Sequence, residues 1–510
     1  MLQTMSGGSS FTIALPNEQA TSRLAIDVAA ALDPGDLVTL SGDLGAGKTA
    51  FARALIRTLA GDAAVEVPSP TFTLMQTYDL PRFTLVHADL YRVSAPGELA
   101  ELGFDDLPEQ AVMLLEWPNR AAGHLPPDRL DIAFTLTPQS GPDSRDARIT
   151  GHGALAARAE RIAAARKFLD QAGLAAAQRR RLIGDASTRC YEQLTLGARR
   201  VILMNAPRRP DGPPVREGRP YSAIAHLAED VKPFIALAKG LHQHGFSAPE
   251  IHAVDLVEGF AVLEDLGSVL IVAGSPPAPI APRYAAAVDV LVALHRHDLP
   301  DTLAVAPQVE HHLPRYDIDA FLIEAELLPD WYLPRLKASA ADAARQDFRG
   351  LWRAALEPAL AARPTWVLRD FHSPNLLWLP DRRDHQRVGL LDFQDAVMGP
   401  AAYDLASLLQ DARVDVPEEL ETKLFDRYVR TRSGGEPTFD AAGFAVIYAA
   451  LAAQRASKIL GIFARLDRRD GKPQYLRHMP RVWRYLRRAL AHRTLHALRA
   501  WYDAHVPPPA

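Results

Sequence analysis

The chain has 510 residues, 57 basic and 61 acidic side chains, a net charge of −4, and 48% hydrophobic residues. Its length exceeds the ~250–300 residues at which a single core stops growing, so two or three domains are expected, and the near balance of charge provides no global field that would draw the protein to nucleic acid. The one cysteine, Cys190, excludes an internal disulfide framework, and no basic-then-apolar leader or run of ~18 uninterrupted apolar residues is present, so the expectation is a cytoplasmic protein with no membrane segment.

Residues 1–155 alternate short apolar runs with helical patterns. DLVTLSG predicts a strand running into a Gly-rich turn, and TAFARALIRTLAG predicts a helix closed by Gly61. FTLVHAD and AVMLLEW predict buried strands, each with a carboxylate at its end, and DRLDIAFTLTP and DARITGHG predict closing strands. Strands alternating with helices imply an α/β domain built on a mainly parallel sheet.

Composition then changes. LAARAERIAAARKFLDQAG has helical spacing and places a junction near residues 153–160. QLTLGARRVILMNAP and EIHAVDLVEGFAVLEDLG predict strands around the Pro- and Arg-rich loop PRRPDGPPVREGRP, and helical patterns dominate from YAAAVDVLVALHRH onward. The second domain, residues 156–510, is therefore expected to be bilobal and α+β, with a small lobe over about 160–267 and a helical lobe over about 280–500.

Gly42-Asp43-Leu44-Gly45-Ala46-Gly47-Lys48-Thr49 fits G-x-x-x-x-G-K-[ST] between a predicted strand and a predicted helix. Its glycines let backbone N–H groups converge on phosphate, Lys48 can bridge the outer phosphates of ATP, and the Thr49 hydroxyl can ligate Mg2+. Asp89 and Glu116, both at strand ends, compete for the remaining metal and water-orienting work. The plainer alternative for each is a helix cap or a surface salt bridge.

GDLGAGKT, VPSPTFTL, HADLYR and LLEWP, in that order and spacing, resemble the TsaE family of P-loop ATPases in tRNA threonylcarbamoyladenosine synthesis. The resemblance covers about residues 10–155. It implies that Lys48, Thr49, Asp89 and Glu116 serve ATP hydrolysis, that Thr71 belongs to a nucleotide-sensing loop, and that carbamoyltransferase-type subunits are partners.

A second site lies in LRDFHSPN, where Asp370 and Asn375 stand five apart, followed by Asp392 at the end of the apolar run VGLLDF. In kinases this spacing supplies an acid that accepts the acceptor hydroxyl proton and two magnesium ligands. Departures are clear: Leu368 stands where protein kinases carry His, and Gln394 stands in the Gly position after Asp-Phe. The Gly-rich loop is reduced to GDASTRCYE, offering the Ser187 and Thr188 hydroxyls, and Met204 occupies the position of the phosphate-pairing Lys. Asp404 is expected to be a cap that stabilises the helical lobe.

GDAS, VILMNAP, VLEDLG, WYLPR, RDFHSPNLLWL and LLDFQDAVMGPAAYDLASLL resemble the aminoglycoside-phosphotransferase superfamily, and within it the AmgK-like anomeric sugar kinases of cell-wall recycling. The resemblance covers about residues 160–495 and makes Met204 a mark of membership. It implies ATP-dependent phosphorylation of N-acetylmuramic acid and N-acetylglucosamine, with Asp370 as base, Asn375 and Asp392 on Mg2+, and the backbone of Glu264, Asp265 and Leu266 meeting adenine. The alternatives are an aminoglycoside or other small alcohol as acceptor, or a non-catalytic nucleotide-binding scaffold.

Overall fold

The computed structural model describes residues 9–71, 73–93, 110–121, 125–182 and 189–509. Ser187 and Thr188 lie outside the described residues. The chain divides into two compact units, residues 1–205 and 206–510.

The first unit is built on a seven-stranded sheet of order β1-β7-β6-β2-β5-β4-β3. Its strands are β1 (Ser9–Leu15), β2 (Leu37–Ser41), β3 (Met75–Asp79), β4 (Thr84–Asp89), β5 (Val112–Glu116), β6 (Arg129–Leu136) and β7 (Arg145–His152). The central run β6-β2-β5-β4 is parallel, and β1, β7 and β3 pair antiparallel at its margins. β2 and β4 are buried along nearly their whole length, their apolar residues in the core and the polar Thr39, His87 and Asp89 buried with them. Helix α1 (Glu18–Ala31) is capped by the Asn17 side chain, and α2 (Lys48–Ala60), the helix predicted after the Gly-rich turn, is ended by Gly61 at φ +67°.

The unit continues through α3 (Ala156–Gln171), which buries Ile162, Phe168 and Leu169, into an antiparallel meander. Its strands are β8 (Gln178–Leu182), β9 (Cys190–Leu196) and β10 (Arg199–Asn205). β8 reads QRRRL and has no apolar alternation to announce it.

In the second unit the hairpin β11 (Ile251–Asp255) and β12 (Phe260–Glu264) follows the helix Lys232–Gln243, and most of the rest is helical. Two small antiparallel pairs carry its site: β13 (Pro364–Val367) with β16 (Val397–Pro400), and β14 (Leu376–Trp378) with β15 (Val388–Leu390). Helix α4 (Ala402–Leu409) is entirely buried. Helix α5 (Ala441–Asp470) is the one helix among the described residues that is long and apolar enough to cross a membrane, and Leu451, Ala453 and Leu460 on it are core residues of the unit.

Candidate functional site

In the first unit the phosphate-loop sequence turns from the central strand β2 into α2. Gly42 takes φ +131°, and a Cβ there would strike the Phe134 carbonyl oxygen, so only glycine fits. Gly47, at φ +101°, occupies the cap position of α2 without any side-chain cap, which leaves the helix amino terminus open to an anion. A cleft of about 270 Å³ is lined by Gly45, Gly47, Lys48, Thr49, Thr71, Asp89 and Glu116 among others, and Ala46 is buried beneath it.

Strand register brings the two carboxylates together. Asp89 and Glu116 are Cα partners across the parallel pair β4–β5. Glu116 accepts from the Thr49 hydroxyl at 3.1 Å, and its other oxygen lies 3.0 Å from His87 Nε2. Asp89 accepts from Thr71 Oγ1 at 3.0 Å and from the backbone N–H of Tyr91 at 2.9 Å. Both carboxylates are buried and engaged with the site, so neither is a surface salt bridge or a helix cap.

Lys48 Nζ donates to the carbonyls of Gly42 and Asp43 at 2.8 and 2.9 Å and lies 3.8 Å from the centre of the Trp117 ring. Burial holds its pKa below the ordinary lysine value, against the opposing pull of Glu116, Asp89 and Asp43. The oxygen donors of Thr49, Glu116 and Asp89 suit a hard divalent cation such as Mg2+, which takes few protein ligands.

Sequence reasoning passed over His87. The signal was present, because His87 and Asp89 are two apart on one strand and so share a face. His87 is fully buried.

In the second unit a loop leaves β13 with Arg369 at φ +66°, a conformation that costs a non-glycine residue energy and persists only when its surroundings enforce it. The enforcement is visible. Asp404, in the first turn of α4, accepts from the backbone N–H groups of Leu368 and Arg369. Arg369 reaches the buried Glu324, which also receives Lys458 Nζ at 2.7 Å, and donates to the Ala225 carbonyl at 2.7 Å. Asp404 is thus a brace on the loop and not a cap on its own helix, which refines the expectation.

The same loop presents Asp370. Asn375 Nδ2 donates to the Asp370 carbonyl at 3.0 Å, and the Asn375 carbonyl accepts from Leu391 N–H at 3.0 Å, immediately before Asp392. Asp370, Asn375 and Asp392 are therefore gathered at one end of the β14–β15 pair. Asp392 takes φ +58°, and its Oδ1 accepts from Gln394 Nε2 at 3.1 Å, so Gln394 has a polar partner where kinases have Gly. Burial acts to raise the Asp370 carboxyl, but His372 in its protonated form, Lys458, Arg369 and Arg455 hold it below its ordinary value. The His372 imidazole, 3.8 Å from Asp370, is pushed down to about 4 by burial against the pull of Asp411 and Asp370, so it is neutral at pH 7. Ser373 donates to Asp411 through both N–H and hydroxyl, at 2.9 and 2.5 Å.

Glu264 ends β12, and Asp265 and Leu266 follow. The Glu264 side chain pairs with Arg382, the Asp265 carboxylate accepts from Gly267 N–H at 2.9 Å, and Leu266 packs against Gly389 of β15. Met204 is fully buried in β10.

A glycine loop leading from a central parallel strand into a helix defines a P-loop nucleotide-binding domain, and an Asp–Asn–Asp constellation on a braced loop defines a kinase-like phosphotransferase. Family comparison agrees. Residues 15–146 match the threonylcarbamoyl adenosine biosynthesis protein TsaE family, and residues 178–444 match the phosphotransferase enzyme family. The chain belongs to both, as a fusion of a TsaE-family segment with a phosphotransferase-family segment, and it is an enzyme. It is 40% identical over 362 residues to the N-acetylmuramate/N-acetylglucosamine kinase of Caulobacter vibrioides, a match spanning 68% of this chain and 97% of that protein. The kinase of the same name from Pseudomonas aeruginosa is 32% identical, over 61% of this chain and 82% of its own. The tRNA threonylcarbamoyladenosine biosynthesis protein TsaE of Rickettsia felis is 42% identical over 118 residues, 23% of this chain and 68% of its own.

Proposed function

We propose that the chain is a bifunctional cytoplasmic enzyme whose two segments each use ATP. Residues 1–155 act as the ATPase of tRNA threonylcarbamoyladenosine synthesis, working with carbamoyltransferase-type protein subunits. Residues 156–510 phosphorylate the anomeric hydroxyl of N-acetylmuramic acid and N-acetylglucosamine in cell-wall recycling. The observation that carries the second reading is the gathering of Asp370, Asn375 and Asp392 on the loop braced by Asp404, in a chain 40% identical to a kinase for those two sugars.

In the kinase, Asp370 takes the proton of the anomeric hydroxyl as that oxygen attacks the γ-phosphorus of ATP, the bond from that phosphorus to the β–γ bridging oxygen breaks, and ADP leaves. Held ionised by neighbouring cations, Asp370 is a weak base. The anomeric hydroxyl is more acidic than a primary alcohol and asks less of it. Asn375 and Asp392 would hold Mg2+, which when bound neutralises charge on the transferring phosphoryl group. Ser187 and Thr188 would face the phosphates, and the backbone of Glu264, Asp265 and Leu266 would meet adenine. In the ATPase, Lys48 would contact the outer phosphates, Thr49 and Glu116 would hold Mg2+, Asp89 would support the metal or the water, and Thr71, bonded to Asp89, would report nucleotide state.

The test is product analysis with the full-length chain. Given ATP and N-acetylmuramic acid, N-acetylglucosamine or kanamycin in parallel, the two sugars are turned over and kanamycin is not. Phosphorus in the product couples to the anomeric proton in NMR. Coupling to the sixth-carbon protons, or turnover of kanamycin alone, overturns the reading.

A further inference from the structure

Helix α5, which contributes Leu451, Ala453 and Leu460 to the core of the second unit, also carries a row of cations. Arg455, Lys458 and Arg465 are spaced three and seven residues apart, which puts them on one side of the helix. The first two are engaged. Arg455 donates to the Gln410 carbonyl at 3.4 Å, and Lys458 donates to Glu324 and, at 3.3 Å, to the Tyr403 hydroxyl. Both lie close enough to Asp370 to help hold its carboxyl ionised.

Arg465 is different. Its side chain is half-buried, its Nε is shut off from solvent, and no hydrogen bond or ion pair among the described residues reaches its guanidinium. The guanidinium lies over the Tyr221 ring, 5.2 Å from the ring centre. Asp470, a carboxylate that feels the Arg465 charge, is already held by Arg469 at 2.7 and 3.0 Å. Glu324 is likewise shared by Arg369 and Lys458. A buried N–H of a charged group left without an acceptor costs stability, so its presence points to an acceptor that arrives with a ligand.

Tyr221 ties this place to the proposed base. It begins the one-turn helix Tyr221–Ile224, and its carbonyl accepts from Ala225 N–H at 2.9 Å. The Ala225 carbonyl in turn accepts from Arg369 Nη1 at 2.7 Å, and Asp370 is the next residue. Burial and the Glu324 charge raise the Tyr221 hydroxyl above its ordinary value, against Lys458, Arg465 and Arg369, so it is a neutral donor at pH 7. From Lys458 to Arg465 is seven residues of helix, about 10 Å. That is the order of length from the anomeric oxygen of a pyranose, across the ring, to a carboxylate on an ether arm at the third carbon.

We propose that Arg465, with the Tyr221 hydroxyl beside it, receives the lactyl carboxylate of N-acetylmuramic acid and so sets the kinase's preference between its two sugars. The proposal rests on the acceptor reading above.

The full-length chain, assayed with N-acetylmuramic acid, its lactyl methyl ester and N-acetylglucosamine in parallel, tests it. Wild type prefers the acid to the ester by about tenfold or more in kcat/KM, the usual worth of a hydrogen bond to a charged group. In Arg465→Gln that preference shrinks to about twofold or less, and kcat/KM for N-acetylmuramic acid relative to N-acetylglucosamine falls by about tenfold. Arg465→Lys, which keeps the charge and loses the planar fork, recovers part of both. A general loosening of the site lowers all three substrates together and leaves the ratios where they were. With both sugars phosphorylated, unchanged ratios in a folded Arg465→Gln chain overturn the proposal and leave the acceptor reading standing. Should that variant not fold, equal kcat/KM for acid and ester on the wild-type chain overturns it. If the wild-type chain phosphorylates neither sugar, the acceptor reading fails and the proposal falls with it.

Discussion

The carboxylate of Asp404 spans two successive backbone amides, taking Leu368 N–H at 2.6 Å and Arg369 N–H at 2.9 Å. The residue that follows them is Asp370, so the direction of the proposed base is set by a carboxylate 34 positions further along the chain. Asp404→Asn keeps the shape but turns an NH2 group toward an N–H. Losing one such buried hydrogen bond costs about 1–3 kcal/mol, and the expected result is a fall in kcat for sugar phosphorylation with KM for ATP little changed. Unchanged kcat would show that the loop holds itself.

Burial raises the Asp404 pKa to about 7, against the opposing hydrogen bonds from Leu368 and Arg369. The folded protein therefore keeps a proton that the unfolded chain releases near pH 4, so stability from this group is present below that and is lost as pH rises toward about 7. His372, pushed to about 4, has the opposite slope, since its neutral form is favoured on folding. The measurement is thus a difference: between pH 4.5 and 7.5 the urea midpoint of wild type falls relative to that of Asp404→Asn, and parallel curves refute the assignment.

Lys48→Ala removes the cation aimed at the outer phosphates of the first site. ATP hydrolysis by that site drops by about a hundredfold or more, the usual loss for one electrostatic stabiliser, while sugar phosphorylation persists. Loss of both activities together would mean that a single nucleotide site serves the chain.

His87→Ala leaves Glu116 buried without its imidazole partner and frees the carboxylate to leave Thr49. By the measure of partners that orient metal ligands, P-loop ATPase activity falls about tenfold or more, and a shift in its magnesium dependence distinguishes misplacement of the ligand from general destabilisation.

Asp392→Asn removes a proposed magnesium ligand at the end of β15 and not a core contact. Sugar phosphorylation should fall below about a tenth of wild type with the thermal midpoint nearly unchanged. Retained turnover places the metal elsewhere.

Much of this was legible beforehand because the first site depends on short-range features. The spacing from Gly42 to Thr49 and the apolar runs ending at Asp89 and Glu116 disclose a central strand, a phosphate loop and two strand-end acids without any knowledge of pairing. What stayed hidden depends on partners distant in sequence. β8 has no apolar alternation, since Arg179 and Arg181 are matched by Asp27, Glu192 and the carbonyls of α1, and only the folded chain brings these together. Asp404 likewise resembles any acid in a first helical turn until its true partners, two amides of another loop, come into view.

Helix α3 has a consequence for how the two enzymes came to share a chain. It begins one 3₁₀ turn after the last strand of the ATPase sheet and packs Ala159, Ile162, Phe168 and Leu169 inward, so residues 153–160 contain no slack tether for a protease to find. During synthesis the ATPase sheet leaves the ribosome first and can be complete before β8 emerges. The kinase's opening strands would then be laid down on a finished surface, as a second course of brick is set on the first.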